Sequence, residues 1–137
     1  MVSASRSRAT VLIVDDDALA RELLAQLLQT GGYDVIAVPT GERALLILCQ
    51  QAEEIDWLVS KVTLPGLVCG WILTDEYHQH HAERPVLLIS PRHPADTSSG
   101  RAVFIPPAAP MRVLEALQVM KQPEPAQVFQ FSAASAA

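Results

Sequence analysis

A continuous apolar run near the start of the chain most strongly constrains the fold. Residues 9–14 read Ala-Thr-Val-Leu-Ile-Val and lack the polar alternation of a strand that faces water on one side. Such a run predicts a parallel β-strand buried on both faces, as in α/β proteins whose helices cover both sides of a sheet. The run ends abruptly in Asp15-Asp16-Asp17, so three carboxylates follow directly after the strand.

Helical and strand patterns alternate along the rest of the chain. Helices are predicted over residues 18–30, 42–51, 71–81 and 111–121, and further strands over 33–38, 56–60, 85–90 and 101–105. Gly31-Gly32 ends the first helix, and Thr40 is a plausible cap for the second. Short connections between such elements are typical of a doubly wound α/β sheet, here with five parallel strands.

One crossover helix is missing from this alternation. The ten residues after Ser90 read Pro-Arg-His-Pro-Ala-Asp-Thr-Ser-Ser-Gly, and their two prolines, glycine and short polar residues leave no amphipathic helix. We therefore expect the fourth helix to be missing or replaced by a loop over residues 91–100. That segment is just long enough to connect two neighbouring parallel strands.

Composition excludes several classes of protein. The 137 residues suit one domain, and half of them are apolar with few aromatics, which predicts an aliphatic core. A net charge of −5 argues against a nucleic-acid partner, and no apolar run approaches the roughly 20 residues of a membrane span. We expect a domain over residues 9–121 between a flexible tail at 1–8 and a disordered tail at 122–137.

The cysteine content and the N-terminal sequence bear on the compartment. Cys49 and Cys69 make neither a disulfide framework nor a zinc motif, and both are expected to be inert. The first eight residues lack the apolar stretch of a signal peptide. These features favour a cytoplasmic protein.

Five short motifs together carry a resemblance to a known family. They are Val11-Leu-Ile-Val-Asp-Asp-Asp17, Gly32-Tyr-Asp-Val35, Gly41-Glu-Arg-Ala-Leu45, Leu64-Pro-Gly66 and Val86-Leu-Leu-Ile-Ser90. In this order and spacing, the chain resembles the receiver domain of bacterial two-component response regulators over residues 9–121. The resemblance implies a flavodoxin-like fold with its site at the carboxyl ends of the strands.

The resemblance also assigns positions in the phosphorylation site. In the family, two acids that match Asp15 and Asp16 hold magnesium, and a third acid at the end of the third strand accepts the phosphoryl group. Counting back four residues from Pro65 puts Lys61 at that acceptor position. A charged ammonium neither forms an acyl phosphate nor ligates magnesium, so we expect no cofactor and no bound metal.

The resemblance also assigns positions of the phosphorylation site after the fourth and fifth strands. The family's hydroxyl residue after the fourth strand matches Ser90, for which we favour a strand-capping role. The family's phosphate-binding lysine and the proline after it match Pro106 and Pro107, so that cation is absent. The family's switch aromatic would fall at Val103, unless Phe104 replaces it.

Lys61 also predicts a specific contact. Two carboxylates facing each other without a cation repel, and an ammonium between Asp15 and Asp16 removes that repulsion. We expect Lys61 Nζ within about 4 Å of one of them. For a partly wet pair, we expect the lower end of the roughly 3–5 kcal/mol lost on breaking a buried ion pair.

The sequence therefore predicts a pseudo-receiver, meaning a stand-alone receiver domain without the phosphoacceptor aspartate. It would not be an enzyme. It would act in phosphorelay signalling by phosphorylation-independent binding to a histidine kinase or another response regulator, as a monomer or homodimer. A receiver phosphorylated instead at Ser60, Thr63 or Asp56 is the alternative within the family, although Asp56 begins its strand at the wrong end of the sheet.

A small-molecule or metal-binding module is the alternative from another class. It would use His78 and His81, which are three residues apart on a predicted helix, together with the rim near Ser90. A solvated helix end is the interpretation that we favour for these histidines, since a protonated histidine there interacts well with the helix dipole.

Overall fold

The computed structural model describes residues 8–91 and 101–121. Its five strands are β1 (Thr10–Val14), β2 (Asp34–Val38), β3 (Trp57–Lys61), β4 (Val86–Ile89) and β5 (Ala102–Ile105). Four helices accompany them, namely α1 (Ala18–Thr30), α2 (Gly41–Gln51), α3 (Gly70–His80) and α4 (Pro110–Lys121), and a short 3₁₀ turn follows α2 at Ala52–Glu54.

All five strands pair in parallel, in the order β2-β1-β3-β4-β5. This confirms the predicted doubly wound, flavodoxin-like sheet. Successive connections lead outward in opposite directions from β1 and β3, so a crevice opens at the carboxyl ends of these two strands. Val14 pairs with Ser60 at the end of their shared ladder, and the residues that follow both strands therefore emerge side by side.

The sheet separates two apolar layers. Val11 and Ile13 of β1 pack with α1 and α4 on one face, whereas Leu12 and Val14 pack with α2 and α3 on the other. All four side chains are fully buried, as the unbroken apolar run predicts. Aliphatic side chains dominate both layers.

No helix lies between β4 and β5 among the described residues. The loop predicted over residues 91–100 lies outside the described part apart from Pro91, and so do both predicted tails apart from Arg8. The Arg8 guanidinium donates to the carbonyl oxygens of Gln29 and Tyr33, each at 3.2 Å, so the first described residue is already attached to the end of α1 and to the residue before β2. Within 8–91 and 101–121, no helix is both long and apolar enough to cross a bilayer.

Side-chain caps begin the first two helices. Asp17 accepts hydrogen bonds from the backbone N–H groups of Leu19 and Ala20, which fixes the start of α1. Thr40 accepts from the N–H of Arg43, so the cap predicted for α2 is confirmed. The third carboxylate of the acidic run is therefore used for helix capping.

A proline-rich connection joins β5 to α4. It reads Pro106-Pro107-Ala108-Ala109 and leads into Pro110, the first residue of α4. Ala108 has a φ of 60°, in the left-handed region that non-glycine residues rarely adopt. The three proline rings fix the backbone on both sides of this residue. The connection forms a stiff wall at the carboxyl edge of the sheet.

Gly70 is predicted to be indispensable for the packing of α3 on the end of β3. A Cβ atom there would collide with the Lys61 carbonyl group and would lie 2.9 Å from the Val62 Cα, both of them backbone atoms that cannot rotate away. Gly70→Ala should lower the free energy of unfolding by about 2–3 kcal/mol, as measured by urea denaturation. Gly31→Ala is the control, because its closest contact is the flexible end of Leu114, and it should cost less than about 1 kcal/mol.

Candidate functional site

The charged residues predicted from the sequence meet at the carboxyl edge of the two central strands. Asp15 and Asp16 directly follow β1, and Lys61 is the last residue of β3. Parallel pairing of these strands places the three side chains next to one another.

Lys61 forms an ion pair with Asp16. Its Nζ atom donates to Asp16 Oδ1 at 2.9 Å, which confirms the predicted salt bridge. The hydrogen bond lowers the pKa of the Asp16 carboxyl and raises the pKa of the Lys61 ammonium, so both groups are charged over a wide range of pH. The two side chains remain 39% and 34% exposed, respectively, and the pair therefore lies at the rim of the crevice.

Asp15 has a different environment from Asp16. It is only 6% exposed, and its Oδ1 accepts the backbone N–H of Asp17 at 2.9 Å. Burial raises the pKa of the Asp15 carboxyl, while the Asp17 N–H and the charge of Lys61 act in the opposite direction. Lys61 therefore does not bridge both acids as the sequence suggested: it bonds to Asp16 and affects Asp15 through its field.

The other predicted site residues surround the same edge. The N–H of Ser90 donates to the Ile105 carbonyl at 3.0 Å, which extends the pairing of β4 and β5 by one residue. Pro106 and Pro107 line a cavity of about 440 Å³ together with Asp15 and Lys61. Pro106, predicted from the sequence to stand at the family's lysine position, therefore lies on the same cavity as Lys61.

Two contacts at this edge were not anticipated from the sequence. The Glu42 carboxylate accepts the backbone N–H of Leu67 at 2.7 Å, and this bond lowers the pKa of Glu42. It ties the loop after β3 to the start of α2. Arg21 Nη1 donates to the Asp15 carbonyl at 2.8 Å and steadies the acidic turn from α1. Glu42 belongs to the Gly41–Leu45 motif, but a pattern of side chains cannot identify its partner, because that partner is the backbone N–H of Leu67.

The three alternative phosphoacceptors, Ser60, Asp56 and Thr63, differ in how accessible they are to a phosphodonor. Ser60 is fully buried, and its Oγ donates to the Lys61 carbonyl at 2.8 Å. Asp56 precedes β3 at the amino end of the sheet and accepts the Thr10 N–H at 2.8 Å. Thr63 is exposed on the loop after β3, so of these three it is the residue that a phosphodonor could reach near the acidic pair.

The solvated helix end predicted for the histidines is wrong for His78. This side chain is only 6% exposed, and its Nε2 lies 2.8 Å from the Arg84 carbonyl oxygen. Burial lowers the pKa of His78, so the neutral ring is favoured. His81 Nε2 instead contacts the Ala52 carbonyl at 3.2 Å. Nowhere in the described ranges do three or more potential ligands gather into a metal site.

Comparison with known proteins defines the class to which this fold and site belong. The family model of the response regulator receiver domain matches residues 11–103, which is more than half of the chain. The chain therefore belongs to the response regulator receiver domain family, as the sequence motifs indicated.

Individual relatives agree with this assignment. The chain is 35% identical over 82 residues to the response regulator protein FleR of Pseudomonas aeruginosa, covering 60% of this chain and 17% of FleR. The crystal structure of the receiver domain from the hybrid histidine kinase CckA superposes with a TM-score of 0.70 at 30% identity, covering 83% of this chain and all of that domain. A response regulator receiver protein from Sinorhizobium medicae shares the fold, with a TM-score of 0.74 at 22% identity over 85% of this chain and 96% of its own.

The match is confined to one part of the longer relatives. The chain spans between 11% and 17% of the length of the curated proteins that it matches. Membership of the family therefore concerns the receiver domain, which acts in two-component signalling.

The residues at the carboxyl edge do not fit the magnesium ion that this family implies. Magnesium requires near-octahedral oxygen ligands, and a protein site supplies them mainly as carboxylates. Here the ammonium of Lys61 lies 2.9 Å from Asp16 Oδ1, and Asp15 Oδ1 already accepts a backbone N–H. A magnesium ion coordinated by Asp16 would have to displace the lysine and would then face its positive charge.

The exposure of the Lys61–Asp16 pair predicts a small contribution to stability. Exposed ion pairs are worth about 1 kcal/mol or less, which revises the larger value expected from the sequence. Lys61→Ala should lower the free energy of unfolding by less than about 1 kcal/mol. A double-mutant cycle with Asp16→Ala should give a coupling energy of similar size that shrinks in 1 M salt. A coupling above about 2 kcal/mol would contradict the rim location of the pair.

The raised pKa of Asp15 predicts that this residue destabilises the fold at neutral pH. Between the unfolded-state pKa, near 3.8, and the higher folded-state pKa, the folded protein retains a proton that the unfolded chain has lost. Stability therefore falls as pH rises through this window. Asp15→Asn, which can still accept the Asp17 N–H, should be more stable than the wild type at pH 7 and indistinguishable from it near pH 3. Equal stabilities of the two proteins at both pH values would refute this assignment.

Proposed function

We propose that this protein is a pseudo-receiver, which signals through protein–protein contacts without accepting a phosphoryl group. The observation that carries the proposal is the ion pair at the end of β3, where Lys61 Nζ lies 2.9 Å from Asp16 Oδ1. By its family position, Lys61 replaces the acceptor aspartate. An ammonium in this place removes the nucleophilic oxygen and also repels the magnesium that the transfer requires.

A second feature of the same edge supports the proposal. Phosphoryl transfer depends on cations that neutralise the charge developing on the phosphoryl oxygens. Pro106 matches the position of the family's phosphate-binding lysine, and a proline ring has no donor to offer. The acceptor and the cation that would hold the product are therefore both replaced, and restoring the acceptor alone would recover only a small part of the reaction.

The proposed role is that of a non-enzymatic signalling adaptor. Its partner would be a histidine kinase or another response regulator, and it would act in the cytoplasm as a monomer or homodimer. The Lys61–Asp16 bond joins the ends of β1 and β3 in one arrangement, which suits a domain whose surface does not depend on phosphorylation.

Phosphorylation at another residue is the second candidate function, and the exposure of Thr63 favours it over the buried Ser60. Thr63 lies two residues after Lys61, on the loop that follows β3. A threonine phosphate would be a stable monoester, unlike an acyl phosphate, and would survive acid and mass analysis.

The test is incubation with acetyl phosphate and magnesium, followed by intact-mass measurement. The wild type should gain no phosphoryl group, and magnesium should not raise its melting temperature. Lys61→Asp restores a third carboxylate, so it should be stabilised by millimolar magnesium through binding linkage, and it should gain a small fraction of one phosphoryl group. Lys61→Asn, which has neither the charge nor the nucleophile, is the matched control.

A gain of one phosphoryl group by the wild type would overturn the proposal. Loss of that gain in Thr63→Val would then identify Thr63 as the acceptor. A gain that Thr63→Val retains would require an acceptor elsewhere in the chain.

A further inference from the structure

A cavity opens between α1 and the proline-rich connection that leads to α4. Its volume is about 440 Å³, within the range of about 300–1,000 Å³ typical of small-molecule sites. Residues of α1, the end of β4 and the first turn of α4 contribute to its lining, so it is framed by regular elements and the stiff connection between two of them.

The walls of this cavity are apolar. Leu19 and Leu23 contribute from α1 although they are 68% and 54% exposed, and Pro106, Pro107 and Pro110 form the opposite side. The folding of α1 does not require these two leucines, because the helix packs on the sheet through Leu24, Ala25 and Leu28. Exposed apolar side chains that line a cavity are typical of small-molecule sites, whose walls are predominantly hydrophobic.

One end of the cavity is charged, and its charge is predominantly negative. Asp15, Asp17 and Lys61 line it. Lys61 already donates to Asp16, and Asp17 caps α1. Asp15 is only 6% exposed, and its Oδ1 accepts the backbone N–H of Asp17. The cavity therefore joins an apolar volume to the Asp15 carboxylate, and a carboxylate can accept several hydrogen bonds.

We propose that this cavity binds a small organic cation, a primary ammonium group carried on a short aliphatic chain. The chain would lie between the leucines of α1 and the prolines, and the ammonium would donate to Asp15. An anion of the same shape would meet two carboxylates and a lysine whose charge is already balanced. The proposal goes beyond the signalling role and does not depend on whether the protein is phosphorylated.

The experiment is an NMR titration of the full chain with hexylammonium, recording backbone amide shifts. The shifts should saturate and should be confined to the cavity lining, including Ala20, Leu23 and Ala108. Butylammonium, which is shorter by two methylenes, should bind about sixteenfold more weakly, since each buried methylene is worth about fourfold in affinity. Hexanoate should bind at least about tenfold more weakly than hexylammonium, because it lacks a donor and is repelled by the acids.

Two variants and a control test the assigned contacts. Asp15→Asn should weaken hexylammonium about tenfold and leave the neutral analogue hexanol unaffected, since only the charge-assisted hydrogen bond is lost. Leu23→Ser should weaken both compounds. Leu46→Ser is the matched control, because Leu46 is a similarly exposed leucine (58%) on α2, and it should change neither affinity.

Several results would overturn the proposal. If hexanoate bound as tightly as hexylammonium, the site would not distinguish a cation from an anion. An unchanged hexylammonium affinity in Asp15→Asn would show that the Asp15 carboxylate does not bind the ammonium group. Shifts that do not saturate, or that spread over the surface, would show non-specific association. None of these results would affect the phosphorylation test, so the two proposals fail independently.

Discussion

Parallel pairing of β1 with β3 is the constraint on which the site depends. The two strands are buried on both faces and share one ladder, so the residues that follow them have no choice of neighbour. Asp15 and Asp16 follow the end of β1, and Lys61 ends the neighbouring β3. Such crowding of like charges at one sheet edge would be unfavourable without a counter-ion, and in this chain the counter-ion is covalently part of β3.

Lys61 balances the two acids unequally. It pairs with the exposed Asp16 and leaves the buried Asp15 to a backbone N–H and a distant field. The charge at the rim is satisfied at little cost because water still reaches it, whereas desolvation opposes ionisation of the buried Asp15 and raises its pKa. Burying the Asp15 carboxylate lowers the stability of the fold, and such local costs in stability tend to be found at functional sites.

The architecture was largely predictable because it rests on local periodicity and buried strand patterns. The bounds of α1 are those predicted, and the Thr40 cap and the Lys61 salt bridge were also anticipated. Individual side-chain partners were less predictable, since the choice between Asp15 and Asp16 depends on rotamers and on differences in burial. His78 shows the same limit, because α3 buries Thr74 and His78 on a face that reads as polar, and the partner of His78 is a carbonyl group six residues away.

The connection between β5 and α4 can bind a ligand with little loss of side-chain conformational entropy. Proline and alanine side chains have no rotamers to lose, so a surface built from Pro106, Pro107, Ala108 and Pro110 presents nearly the same shape free and bound. A lysine at the same place would have to be immobilised by every ligand that touched it. This edge is therefore pre-organised, and a ligand that binds here is selected by its fit to a fixed shape.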